Sequence, residues 1–192
     1  MPEKWKTVGS QVLQDAGIFR LREDRSVSPR TGKTWPFFVL ELPDWVNVIA
    51  LTEDAEVIFI RQYRHGSGDV TLEIPGGIVD PGESPLAAAA RELREETGYV
   101  AKRWLDLGSI EPNPAFQTNR CHTFLAQRAT KAGSQQLDER EVIAIETIPL
   151  EQVGSLLAEG SIRHALVGIA FQKLDLLQRG LLPTRPVEPG AA

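Results

Sequence analysis

The sequence predicts an α/β fold: a mixed β-sheet held between helices, preceded by an antiparallel β appendage. Three observations predict it. Apolar runs of strand length are spread along the chain, among them VNVIAL at Val46 to Leu51, VIFIRQY at Val57 to Tyr63 and CHTFLA at Cys121 to Ala126. Stretches of helical periodicity stand between and after them, chiefly Leu86 to Thr97 and Ile162 to Leu177. The length of 192 residues, 42% of them hydrophobic, suffices for one proper core.

Taken in order, Val12 to Leu13 with Phe19 to Arg22, then Phe37 to Glu41, read as strands, and SPRTGKT at Ser28 to Thr34 reads as the exposed turn between the last two. Residues 1–43 are therefore expected to form the appendage and residues 44–182 the main domain. In the main domain, Val70 to Ile74 and Val142 to Ile148 add strands to the three runs above. A short helix is expected over Leu150 to Glu159. A longer one, with Ile162, Leu166, Ile169, Leu174 and Leu177 on one face, ends near Gly180. The proline-rich stretch 183–192 reads as a flexible tail.

Composition narrows the function classes. A net charge of −5 argues against a broad nucleic-acid platform, yet it leaves room for a small nucleotide in a locally basic pocket. The single cysteine, Cys121, cannot form a disulfide within the chain, and its setting reads as an interior strand thiol. No apolar run approaches a membrane span, and MPEKWKTVG lacks a signal core, so the cytoplasm is expected.

The chemistry concentrates between Pro75 and Tyr99. Pro75, Gly76, Gly77, Pro81 and Gly82 make a breaker-rich loop, and Glu83, Ser84 and Pro85 open a helix that Gly98 stops. Leu86, Ala89 or Ala90, Leu93 and Thr97 form the apolar stripe, while Glu92, Glu95 and Glu96 lie off it within an arc of about 100°. Three carboxylates on one side repel and raise one another's pKa, which a hard cation would relieve. Oxygen-only donors favour Mg²⁺ or Mn²⁺ over zinc. A solvated face laced by pairs such as Arg91 to Glu95 would also account for the acids, but not for the glycine loop or the spacing of Glu83.

The run from Gly77 through Glu83, Arg91, Glu92, Leu93, Glu95, Glu96 and Gly98 resembles the Nudix box, G-x5-E-x7-R-E-U-x-E-E-x-G-U with U aliphatic. Tyr99 is the one departure. The resemblance spans about Asp44 to Leu177 and implies the Nudix fold, an α/β/α sandwich with a mixed sheet. It also implies hydrolysis of a nucleoside diphosphate linked to another group. It assigns metal to Glu92, Glu95, Glu96 and the carbonyl of Gly76, and a box-structural role to Gly77, Glu83, Arg91 and Gly98. RQYR at Arg61 to Arg64 followed by LEIPGG looks like the ADP-ribose and nucleotide-sugar pyrophosphatase branch. In that branch Arg61 and Arg64 would reach the diphosphate, a task suited to a planar guanidinium fork. Glu73 would bind metal or substrate, or pair with an arginine across the sheet.

Pro114, in EPNPAF, fits the spacing the branch associates with ADP-ribose. QQLDERE at Gln135 to Glu141 falls where the branch carries a mobile acidic loop with the catalytic base, Glu141 being preferred over Glu139. The resemblance further implies a homodimer exchanging N-terminal strands, with Trp5, Trp35, Phe37 and Trp45 as candidates to line the base pocket. Other Nudix substrates remain rivals: dinucleoside polyphosphates, nucleoside triphosphates or capped RNA ends. A non-catalytic nucleotide-sensing module is a further one.

Overall fold

The computed structural model describes residues 1–189. Two compact units are present. The first gathers Met1–Asp44 and the segment Glu111–Arg120. Its antiparallel sheet runs β1 (Lys6–Asp15), β2 (Arg20–Val27), β3 (Thr34–Glu41) in that order. Arg22 ties the sheet together, reaching Asp24 on its own strand and Glu41 on β3. The turn expected over Ser28 to Thr34 closes through Ser28 N–H to Lys33 O at 2.9 Å. β1 is much longer than the two residues expected, and all of it is exposed. The segment Glu111–Arg120 lies beside the end of β3: Leu40 N–H donates to Phe116 O, and Thr118 N–H to Leu40 O.

The second unit comprises Trp45–Ile110 with Cys121–Ala192. Its seven-stranded sheet is built from β4 (Trp45–Leu51), β5 (Glu56–Arg64), β6 (Asp69–Glu73), β8 (Arg103–Ile110), β9 (Cys121–Gln127), β11 (Ile143–Pro149) and β12 (Pro186–Val187). A separate two-stranded ladder joins β7 (Tyr99–Val100) to β10 (Thr130–Lys131). β4 and β9 run parallel in the centre, and every other pairing is antiparallel.

Helix α1 (Pro85–Thr97) covers one face of the sheet, where Ala88, Ala89 and Leu93 pack with Val46, Val48, Ile58 and Phe124. Helices α2 (Val153–Ala158) and α3 (Ala165–Gln178) cover the other, where Val167, Ala170, Phe171 and Leu174 meet Ile49, Phe59, Leu72 and Leu125. The small alanine side chains let α1 lie close to the strands, and the two apolar layers make the expected α/β/α sandwich.

Strand β8 was not anticipated. RWLDLGSI alternates poorly, because a register shift between Asp106 and Ser109 and the positive φ of Gly108, 82°, break its period. The helix expected over Leu150 to Glu159 divides into a 3-10 turn, Leu150–Gln152, and α2, while Ile162 precedes α3. Within the stretch expected as a tail, Pro186–Val187 pairs with β8; residues 190–192 lie outside the described residues.

One detail of the topology positions the site. β4 pairs with β5 only at Leu51 and Val57, after which β5 turns to β6. The vacated edge of β4 is taken by the chain after β6: Val48 N–H donates to Pro75 O at 2.8 Å, Val46 N–H to Gly77 O at 2.9 Å, and Trp45 bridges Ile78. The glycine loop is thus held by backbone hydrogen bonds to the central strand.

Candidate active site

Helix α1 begins where local chemistry requires. Ser84 is extended and accepts Ala87 N–H at 3.2 Å, and Pro85 takes the first turn without needing a donor. Gly98 ends the helix at φ 72°, and a Cβ there would strike Gly133 O. Only glycine meets both demands.

Arg91 is the hub of the box. Its Nε and Nη2 grip Glu83 at 3.0 and 2.9 Å, Nη1 reaches Glu92 at 2.8 Å and Glu95 at 3.4 Å, and Nη2 also donates to Ile78 O at 3.0 Å. The bond to Glu83 is the chief reason the Arg91 pKa is raised and that of Glu83 lowered. The i,i+4 contact to Glu95 is the longest of Arg91's carboxylate hydrogen bonds, so Glu83 and Glu92 are its main partners.

The three helix carboxylates differ in burial. Glu95 is about one-third exposed, Glu92 less, and Glu96 only 3%. The expectation that all three stand clear of the buried stripe fails for Glu96. Helical periodicity describes α1 alone, whereas the loop at Pro75 to Gly77 closes over this position, and Gly76 N–H donates to Glu96 Oε2 at 2.9 Å. A Cβ on Gly76 would collide with Val46 O, and one on Gly77 with the Glu92 carboxylate. Burial, with the nearby Glu92 and Glu141 charges, pushes Glu96 up to about 8 despite the Gly76 hydrogen bond. Burial likewise raises Glu92, and Glu95 and Glu141 add to the rise.

Among the described residues no three His, Cys, Asp or Glu side chains are grouped so as to hold a metal ion as they stand. The chemistry of the donor set nevertheless fits a hard divalent cation. Burial and the neighbouring carboxylates disfavour the ionised forms of Glu92 and Glu96, a cost that a bound cation would relieve, and all their donors are oxygens.

Arg64, opposite Asp69 in the β5–β6 ladder, reaches along the strands and forks onto Glu73, Nε to Oε1 at 2.9 Å and Nη2 to Oε2 at 2.8 Å, while Thr71 also hydrogen-bonds Glu73. Of the roles open to Glu73, pairing with an arginine is the one observed. Arg61, exposed on β5, pairs with Glu146 of β11 at 2.7 Å. Glu139 is exposed, and among the described residues its side chain makes no hydrogen bond or ion pair. Glu141 accepts Asp138 N–H at 3.1 Å, and its charge reaches Glu92 and Glu96. Trp45 is half-buried at the start of β4. In the first unit, Pro114 is exposed in a turn closed by Phe116 and Gln117 N–H onto Asn113 O. Trp35 is exposed beside an open hollow that Trp5 and Lys33 also line, and Trp5 meets Phe37 edge to face at 5.1 Å.

Sequence reasoning missed three side chains that shape this region. Asn47, a lone amide in VNVIAL, donates to Leu166 O at 3.2 Å in the first turn of α3, and its isolation among apolar neighbours was the available signal. His164 caps α3 through Leu166 N–H and contributes to lowering Glu73. Gln135 binds the end of α1 through its side chain.

Comparison with known proteins agrees with the geometry. The NUDIX domain family matches residues 42–167. An ADP-ribose pyrophosphatase of Bacillus subtilis is 32% identical over 89% of this chain and 92% of its own. A methanol dehydrogenase activator of Bacillus methanolicus is 30% identical over the same shares. A solved structure described as an ADP compounds hydrolase superposes with a TM-score of 0.82 over 95% of this chain and 99% of its own; at 23% identity it establishes the fold. Among the described residues no helix is long and apolar enough to cross a membrane.

Proposed function

Since the chain belongs to the Nudix family and is a hydrolase of phosphorus anhydrides, we propose that it cleaves the diphosphate of ADP-ribose, or of a related nucleoside diphosphate sugar. The products are a nucleoside monophosphate and a sugar phosphate. The observation that carries this reading is the Gly76–Gly77 loop packed on the buried Glu96 and the partly buried Glu92, with Arg64 close enough for its charge to act on Glu96. Negative side chains for a cation thereby stand beside a guanidinium for phosphate. The name of the Bacillus subtilis relative supports ADP-ribose as the first substrate to test.

Glu92, Glu95, Glu96 and the Gly76 carbonyl would hold the cation, which we take to be Mg²⁺. When bound, it would neutralise the diphosphate and acidify the attacking water. Glu141 takes the proton from that water as its oxygen bonds to phosphorus and the anhydride P–O bond breaks toward the leaving phosphate. Arg64, and Arg61 once released from Glu146, bind diphosphate oxygens. The exposed apolar side chains of the first unit, among them Val8, Val12, Leu13, Trp35, Phe37 and Phe38, support a homodimer formed through that sheet. A cytoplasmic setting agrees with the single cysteine.

The test is turnover of ADP-ribose with Mg²⁺, with products separated by chromatography. Equimolar AMP and ribose 5-phosphate are expected. Faster turnover of dinucleoside polyphosphates or nucleoside triphosphates would overturn the substrate assignment, and no turnover of any diphosphate would overturn the catalytic reading.

A further inference from the structure

The last turn of α1 leaves carbonyls that need partners, and the chain from Ala132 to Gln136 supplies them. Ala132 and Gly133 N–H donate to Gly98 O at 2.8 and 3.2 Å, and Gln136 N–H donates to Glu95 O at 2.8 Å. Gln135 does something different. Its half-buried side-chain nitrogen donates to Glu96 O at 2.7 Å and also to Ile143 O at 3.1 Å. An amide NH₂ carries two hydrogens, so one atom joins the end of the box helix to the first residue of β11. Both ends of the loop 136–142 are thereby fastened at the Gln135 amide, which is itself anchored on the backbone of Glu96.

Within the loop, Asp138 and Glu141 form a local turn: Glu141 N–H donates to Asp138 O at 3.2 Å, Asp138 N–H to Glu141 Oε2, and Arg140 N–H to Asp138 Oδ1 at 2.6 Å. Glu141 stands two residues from the fastened Ile143, and its charge acts on Glu92 and Glu96. We propose that Gln135 is a positioning residue for hydrolysis. Its two-handed side chain sets the distance of the Glu141 carboxylate from the Glu92 and Glu96 carboxylates. The kinetic part of this inference rests on Glu141 as the base; the fastening itself does not.

Gln135→Met keeps the length of the side chain and removes both donors. It is expected to lower kcat for ADP-ribose on the order of 10- to 100-fold, the scale of an ångström of misplacement, with KM and the Mg²⁺ concentration for half-maximal rate within about twofold of wild type. Combined with Glu141→Gln it should cost little beyond Glu141→Gln alone, because it acts through that carboxylate. Fully multiplicative losses would overturn the coupling. Amide hydrogen exchange reads the fastening without reference to catalysis: residues 136–142 should exchange faster in Gln135→Met while α1 keeps its protection. Unchanged exchange there would overturn the proposal. Faster exchange with a fully active Glu141→Gln enzyme would leave the fastening standing and remove Glu141 as the base.

Discussion

Arg64 and Glu73 stand nine residues apart in sequence and at opposite ends of the β5–β6 ladder, and the arginine reaches along the strands to present its Nε and Nη2 edge to both carboxylate oxygens. Among the described residues Arg64 Nη1 has no hydrogen-bond partner, so the buried acid holds one edge of the arginine and leaves the other unengaged.

That pair sets a pH dependence. Burial alone would raise Glu73, but the hydrogen bonds from Arg64 and Thr71, helped by the charges of Arg64 and His164, outweigh it and leave Glu73 below the usual 4.5. A depressed folded-state value contributes stability that is present above 4.5 and lost as pH falls through the folded value. Glu73→Gln should therefore flatten the acid limb of a stability-against-pH curve. Near neutrality it should cost on the order of 1 kcal/mol, since the Arg64 side chain is 42% exposed and water reaches the guanidinium it leaves behind. Chemical denaturation at a series of pH values measures both, and an unaltered acid limb would refute the pairing.

Glu96→Gln keeps the size of the side chain and removes a charge that burial disfavours. Turnover should vanish, while the melting temperature of the cation-free protein should stay level or rise by several degrees. Glu92→Gln should behave alike with a smaller thermal gain, since Glu92 is less buried and keeps Arg91 beside it. Calorimetry with and without Mg²⁺ checks this. Near-normal rates for Glu96→Gln in saturating Mg²⁺ would rule out the proposed cation site.

Glu141→Gln should reduce kcat about 10²- to 10⁴-fold with substrate and Mg²⁺ binding close to wild type, the loss typical of a missing general base. Raising the pH should recover part of that loss, because the attacking water then loses its proton without help. Glu139→Gln should stay within about twofold of wild type, as an exposed carboxylate with no local partner. A reversed order would keep the loop and exchange the residues.

Deleting residues 1–42 should yield a monomer with a raised KM and unchanged Mg²⁺ dependence, read by light scattering and kinetics. The same deletion removes the backbone partners of Phe116 and Thr118, so proteolysis should become rapid within 111–120. A dimeric truncation with wild-type KM would refute the proposed role of the first sheet.

The parts legible in the sequence are those whose causes are local. Ser84, Pro85 and Gly98 bound α1 through groups within a few residues, and the apolar runs of β4, β5 and β9 declare themselves. Glu96 was misread because its burial depends on a loop some twenty residues earlier, folded back along β4. β8 was missed because its bulge interrupts the alternation by which strands are recognised. Gln135 looked like one more polar residue before an acidic loop. The partners of its amide, Glu96 O and Ile143 O, are backbone atoms that no side-chain pattern announces.

The segment Pro75–Ile78 occupies an edge of β4 that β5 has left, and this divides the molecule into parts that tolerate change and parts that do not. Moving Gly76 means unzipping bonds to a central strand, whereas the β5–β6 hairpin tip at 65–68 is exposed and carries none of those bonds. Lengthening that tip would leave the glycine loop seated on its strand, but Ser67 and Gly68 N–H close the tip onto Arg64 O, so the change would be felt at the arginine rather than at the helix carboxylates.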